Sequence, residues 1–186
     1  MLNQFLSELR QFLPADRIYT DELRTLGWGT DASFYRQIPK VVVRSDGEEE
    51  ISRIVCACRK YKLPYTFRAA GTSLSGQSCT DSVLIVAGKH WERWSLAPSS
   101  NGEASVITLQ PGIVGGRVNQ ILKPYGRVFP PDPASIGSAM VGGIVVNNAS
   151  GMNCGVHANS DRMLLSARII LTDGTILDTA SNESRD

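Results

Sequence analysis

Between residues 41 and 78 the chain reads strand, helix, strand and then runs directly into a loop of small hydroxylated residues, the order of an α/β unit with a ligand loop. Val41-Val42-Val43 reads as a strand and Ser45-Asp46-Gly47 as a turn and helix cap. Residues 48–61 place Ile51, Ile54, Val55 and Cys58 on one helical face, and residues 65–68 form a second strand. Strand, helix, strand implies a right-handed crossover and parallel pairing. The loop that follows therefore stands at a strand's carboxyl end, where α/β sheets place ligands.

That loop has the composition of an anion cradle. Gly71 and Gly76 can take positive φ and let a ligand approach the main chain, while Thr72, Ser73 and Ser75 bring hydroxyls beside backbone N–H groups. A pyrophosphate suits it. The segment holds no lysine and so is not a P-loop, and its glycine spacing does not match the dinucleotide fingerprint that opens a helix after a first strand. Composition alone leaves an ordinary turn open. A second unusual segment narrows the choice: Phe129-Pro130-Pro131-Asp132-Pro133-Ala134-Ser135, then a run of small residues through Gly142-Gly143 to Asn147-Asn148-Ala149-Ser150-Gly151. Gly142 and Gly143 are compatible with close packing of elements. The polar turn at 147–151 makes a second backbone-rich loop, and two such loops can grip a long dinucleotide from both sides.

The chain of 186 residues, 42% hydrophobic, is large enough for one ample domain or two small ones. Nineteen basic against eighteen acidic residues give a formal charge of +1, which leaves no footprint for nucleic acid or an anionic membrane. No apolar run reaches the length of a membrane span and residues 1–13 do not resemble a signal peptide, so a cytoplasmic location, or a peripheral one on the cytoplasmic membrane face, is expected. Cys56, Cys58, Cys79 and Cys154 lack paired metal-site spacing, and neighbours two apart on a helix cannot face one metal, so no metal site is expected and most of the thiols should be buried and reduced.

Elsewhere the pattern is coarser. Leu2, Phe5, Leu6, Leu9, Phe12 and Leu13 recur at helical spacing up to Pro14, whereas residues 19–39 show no clear period and read as an irregular connection free to touch the ligand or a neighbouring domain. Strands are expected at 83–87 and 105–110, separated by a polar region at 88–102 whose Trp91 and Trp94 are assigned to packing. A helix carrying Val118, Ile121, Leu122 and Tyr125 ends at Gly126. Residues 167–171 and 176–179 form a hairpin around Asp173-Gly174. Arg68 is open to two roles, balancing phosphate charge or a structural one, with the structural role ahead. His90 reads as a surface residue, and His157 is not assigned to catalysis.

The segments at 68–78, Gln110-Pro111-Gly112, 130–135, Gly142-Gly143 with 147–151, and Leu171-Thr172-Asp173-Gly174-Thr175 occur in the order found in the FAD-binding domain of the vanillyl-alcohol oxidase type flavoenzymes, of PCMH type, and the chain resembles that domain over nearly its whole length. Thr30-Asp31-Ala32-Ser33-Phe34-Tyr35-Arg36 before Pro39, and Asn147 to Met152, resemble the D-lactate dehydrogenase and glycolate oxidase branch, in particular the large bacterial forms with an iron-sulfur domain behind the flavoprotein part. The resemblance implies an α/β (α+β) fold with mixed sheets and flanking helices. Residues 1–38 would form an N-terminal helix and connection and 39–186 the FAD-binding domain, with lobe one at about 39–100, lobe two at about 101–186 and FAD between them. It assigns Ala69, Ala70, Gly71, Thr72, Ser73, Leu74, Ser75, Gly76 and Gln77 to the pyrophosphate loop. Pro111, Gly112, Asp132, Pro133 and Ser138 would make further FAD contacts, as would Gly142, Gly143, Asn148, Ala149 and Gly151. Neither histidine nor cysteine occurs in 68–78 or 132–151, so FAD is expected to be bound without a covalent link.

In the resembled enzymes a 2-hydroxy acid loses its hydroxyl proton to a base and its α-hydrogen as hydride to the flavin, and electrons pass onward to an iron-sulfur or other acceptor. The reading is D-lactate dehydrogenase-like, with glycolate and D-2-hydroxyglutarate as alternative substrates and a non-catalytic FAD-binding subunit as a different class of answer. No closing element is visible at 182–186, so the chain is expected to be a fragment, inactive alone, with any iron-sulfur cluster and the catalytic and substrate-binding residues in the missing part. An exposed sheet edge in such a fragment would allow two copies to dimerise.

Overall fold

A computed structural model describes residues 1–88, 90–98 and 104–181. In chain order the elements are α1 (Leu2–Leu9), β1 (Ile18–Tyr19), α2 (Glu22–Gly27), β2 (Val41–Ser45), α3 (Glu48–Lys60), β3 (Tyr65–Arg68), β4 (Val83–Ala87), β5 (Trp94–Pro98), β6 (Ala104–Leu109), α4 (Gly115–Leu122), α5 (Val141–Val146), α6 (Ser160–Met163), β7 (Arg168–Ile170) and β8 (Ile176–Asp178). They fall into two compact units. One comprises Met1–Arg68, Ser73–Gly88 and Leu165–Asp186, and the other Ala69–Thr72 and Lys89–Leu164. The chain leaves the first unit for residues 69–72, leaves it again after Gly88 and returns to it at Leu165, and the N-terminal helix belongs to that first unit.

The first unit is built on a four-stranded sheet in the order β1-β2-β4-β3. β2, β4 and β3 are parallel, while β1 joins antiparallel through Ile18 opposite Val43. The strand-helix-strand unit is present, but β2 and β3 are not neighbours: β4 lies between them, with Val83 opposite both Val41 and Tyr65. Composition explains that order, because Val83, Leu84, Ile85 and Val86 are all buried and a fully apolar strand belongs at the sheet's centre. On α3, Ile51, Ile54, Val55 and Cys58 are buried at the 3.6-residue spacing, together with Ala57. Phe5 and Leu9 of α1 are fully buried, and α1 lies against α3. Each such side chain contributes about 1.5–3 kcal/mol, against about 0–1 kcal/mol for an exposed ion pair, so the apolar layer governs this unit's stability.

Polar groups then fix the ends. Three glutamates open α3, where the helix dipole favours negative charge, and Arg59 and Lys60 close it. Arg17 clamps that start, donating to both Glu50 oxygens at 2.8 and 2.9 Å and to Asp46 at 2.9 Å. The β7–β8 hairpin is the one expected from Asp173-Gly174, with Gly174 at φ 85°. It docks on α3 through Ser52 Oγ donating to the Gly174 carbonyl at 2.6 Å and Arg168 gripping Glu48.

The second unit packs Ile113, Val118, Leu122 and Val141 into a core, with Leu96, Ile107, Leu109, Phe129 and Val145 against it. β5 and β6 pair antiparallel beneath it, with a register shift at Ala97/Pro98. β5 arises in the region read from sequence as polar connection, where Trp94-Ser95-Leu96-Ala97-Pro98 follows Glu92-Arg93 and makes no apolar run. Residues 89 and 99–102 of that region lie outside the described residues, as do residues 182–186. Trp91 is buried as expected of a packing residue, whereas Trp94 is 45% exposed. Among the cysteines, Cys58, Cys79 and Cys154 are buried and Cys56 is exposed, all as free thiols. Cys56 and Cys58 thus leave α3 in different directions, and burial pushes the Cys58 thiol up to about 12.

Candidate functional site

The segment after β3 supplies the first half of the site. Gly71 and Gly76 both adopt left-handed φ, 72° and 71°, as a loop that turns its amides outward requires. Among the described residues, the backbone N–H groups of Ala70, Gly71, Thr72, Ser73 and Leu74 meet no protein acceptor. Such a run of unengaged donors, with no carboxylate in residues 69–77, favours an anion. The hydroxyls divide their labour. Ser73 Oγ donates to Gln77 Oε1 at 3.0 Å and accepts from Ser75 N–H at 3.1 Å and Gln77 N–H at 3.4 Å, so Ser73 and Gln77 tie the loop to itself. The Thr72 and Ser75 hydroxyls keep no partner among the described residues. Leu74 is 75% exposed. Of these residues, Ala69–Thr72 belongs to the second unit, and Ser73, Leu74, Ser75, Gly76 and Gln77 to the first.

Arg68, which ends β3, forms no ion pair among the described residues. Its Nη1 donates to the carbonyls of Thr30 at 2.7 Å and Trp28 at 3.2 Å, and the guanidinium stands 5.1 Å from the Trp28 ring. Desolvation pushes its pKa down, although Cys79 and Asp31 oppose the shift. Its buried Nε has no acceptor among the described residues. The structural role expected for Arg68 thus takes the form of backbone clamping.

Within the second unit the remaining candidates are drawn together by close backbone approach. Gly142 N–H donates to the Pro111 carbonyl at 2.9 Å, and a Cβ at Gly142 would stand 2.6 Å from Pro111 Cβ. A Cβ on Gly143 would lie 3.7 Å from that of Ala69, so 69, 111 and 142–143 share one region. Gly151 packs so tightly on the Asp132 carbonyl that no side chain fits there. The Asp132 carboxylate is held by Asn153 Nδ2 at 2.6 Å. Pro133 is buried, and its carbonyl accepts from Ile136 N–H. Gly112 turns its amide to the Trp91 carbonyl and the Ser138 hydroxyl donates to Ser135, so the polar groups of those two are spent locally.

The 147–151 turn has its own scaffold. Asn148 sits at φ 43°, a conformation asparagine tolerates, and its Oδ1 accepts from Asp161 N–H at 3.0 Å. Ser160 Oγ, in a residue 2% exposed, bonds the carbonyls of Ile144 and Ala149. Cys154 Sγ accepts from Gly151 N–H and donates to the Gly151 carbonyl. Ser160, Cys154 and Asn153 were not singled out as site residues by sequence, because their contribution is to brace the turn from outside. His90 and His157 are both exposed. No helix among the described residues is long and apolar enough to cross a membrane.

Free amides, positive-φ glycines and side-chain-free approaches suit an extended phosphate-bearing ligand, and comparison with known proteins gives the same answer. Residues 39–180 match the family described as FAD binding domain, and the chain belongs to that family. It is 30% identical to the D-2-hydroxyglutarate dehydrogenase of Escherichia coli (strain K12) over 94% of its length, which is 17% of that protein. It is 29% identical to glycolate oxidase subunit GlcD of the same strain, over 95% of this chain and 35% of that one. It is 28% identical to the mitochondrial D-lactate dehydrogenase [cytochrome] of Arabidopsis thaliana, over 96% and 31%. The chain thus spans between a sixth and about a third of these relatives. Among solved structures, p-cresol methylhydroxylase with substrate bound superposes with a TM-score of 0.78 at 14% identity, over 99% of this chain and 37% of that one. Alkyldihydroxyacetonephosphate synthase gives 0.77 at 19%, over 98% and 39%. These likenesses establish the expected mixed α/β fold of the PCMH-type FAD-binding domain, and the family's cofactor is FAD.

Proposed function

We propose that this chain is the FAD-holding part of a flavin-dependent 2-hydroxy acid dehydrogenase. The observation that carries the reading is the run of unengaged amides at 70–74 in a chain of the FAD binding domain family. In it, those amides and the Thr72 and Ser75 hydroxyls hold the pyrophosphate. Gly142 and Gly151 let the backbone pack against Pro111 and the Asp132 carbonyl, and Gly143, Asn148 and Ala149 continue that stretch beside the cofactor. When bound, FAD supplies a hydride acceptor. No histidine or cysteine lies in 68–78 or 132–151 to attach it, so the cofactor is held by non-covalent contacts.

The substrate class follows from the relatives, whose names give D-2-hydroxyglutarate, glycolate and D-lactate as substrates. Within that class D-lactate is our first choice, with electrons passing to an iron-sulfur or other acceptor outside this chain and the protein working at the cytoplasmic side. The residues that abstract the proton and bind the carboxylate are assigned to chain beyond these residues. Calorimetric titration of the 186-residue chain with FAD, FMN and ADP tests the cofactor assignment. Saturable binding with FAD well ahead of FMN, and ADP competing, is expected. No binding of FAD by a folded sample overturns it.

A further inference from the structure

Residues 29–37, which lie outside the stretch matched to the family, are built onto the 73–78 part of the cofactor loop. Thr30 bridges Arg36, and Gln37 N–H bonds the Gly29 carbonyl at 2.9 Å, so the segment doubles back as a short strap. At its tip the Asp31 carboxylate accepts from Ser33 N–H at 2.9 Å, from Ser33 Oγ at 2.5 Å and from Ser78 Oγ at 2.9 Å. Ser33 Oγ in turn accepts from Tyr35 N–H at 3.1 Å. The Tyr35 ring lies on Gly76, where a Cβ would come within 2.8 Å of Cδ2. Arg68 anchors the strap's base through the Trp28 and Thr30 carbonyls.

These contacts have a common target. Ser78 ends the loop, Gly76 is one of its two left-handed glycines, and Arg68 precedes it. An anion loop with unengaged amides has few internal bonds to hold its shape, and a ligand that must order it loses affinity to that cost. We propose that residues 30–36 are a strap that pre-organises the cofactor loop, with Asp31 as its positioning residue. Asp31 does not touch the cofactor. It fixes Ser78 and, through Ser33 and Tyr35, the Gly76 turn. The inference rests on the reading that this loop holds FAD.

The test uses Asp31→Ala, Asp31→Asn and Ser78→Ala in the 186-residue chain, with FAD affinity and amide hydrogen exchange of the ligand-free protein as readouts. Removing the carboxylate leaves Ser33 and Ser78 without their shared acceptor, so Asp31→Ala is expected to weaken FAD binding about tenfold. Asp31→Asn keeps one acceptor oxygen and should recover part of the loss. Exchange at residues 73–78 should quicken while the amides of α3 stay protected, a contrast that general destabilisation would not produce. Ser78→Ala removes one hydroxyl, serves if Asp31→Ala does not fold, and should loosen the same amides. Unchanged exchange at 73–78 in folded variants, or FAD affinity within about twofold of the parent, overturns the strap. If the parent itself binds no FAD, the cofactor reading fails, and the exchange contrast still decides whether the strap orders the loop.

Discussion

Two stretches proposed to hold the cofactor are kept in place by opposite means. The 73–78 loop is held by side chains reaching in from elsewhere: Asp31 to Ser78, Tyr35 over Gly76, and Ser73 to Gln77 within the loop. The 142–151 stretch is held by the absence of side chains, with Gly142 against Pro111 and Gly151 against the Asp132 carbonyl, and is braced from behind by Ser160 and Cys154. A loop secured by hydrogen bonds should respond gradually to conservative changes and to pH. One secured by backbone contact should tolerate no added atom.

The largest expected effect is at Gly151. An alanine there drives a methyl into the Asp132 carbonyl, which only backbone movement relieves, so Gly151→Ala should lower stability by about 3 kcal/mol in denaturant unfolding. An unchanged midpoint would show that this turn is not glycine-held. Ser160→Ala should cost less, about 1–2 kcal/mol, because the Ile144 and Ala149 carbonyls lose a donor while the backbone keeps its path.

The smallest effect is electrostatic and belongs only to the strap-held loop. Desolvation pushes the Asp31 carboxyl up, but the hydrogen bonds from Ser33 and Ser78 together outweigh it and hold the group below the usual carboxylate range. Its stabilisation is therefore present above the unfolded value of about 3.9 and is lost as pH falls through the lower folded value. Arg68 and Cys79 face it, and neither changes charge there: the guanidinium stays protonated, and burial, with Asp31, pushes the Cys79 thiol up. The difference in melting temperature between the parent and Asp31→Ala should hold steady from neutrality down to that carboxylate range and narrow below it. A difference that widens in acid would reverse the sign and remove Asp31 from this role.

Legibility in the sequence followed the same division. The helix at 48–60 and the strands at 41–45, 65–68 and 83–87 were plain because apolar periodicity is a local signal that burial then uses directly. The sheet order was not, since placing β4 between β2 and β3 depends on which strand is most completely covered. β1 is two residues long and α2 six, too short for a period to show, and both fall in the stretch read as irregular. β5 gives no sequence signal, because Trp94-Ser95-Leu96-Ala97-Pro98 mixes apolar and polar residues beside Glu92-Arg93 and ends in a proline. In the site, glycines and hydroxyls marked the loops themselves. The groups that brace them, Asp31, Tyr35, Cys154 and Ser160, act across turns and give no spacing signal, although residues 30–36 stood out as a motif without a role.

Hydrogen exchange of the 186-residue chain with and without FAD decides whether these two stretches hold the cofactor. FAD is expected to protect amides at 70–77 and at 142–151, with α1, α3 and the β7–β8 hairpin unchanged. Tight FAD binding that left 70–74 unprotected, or protection confined to other elements, would contradict it.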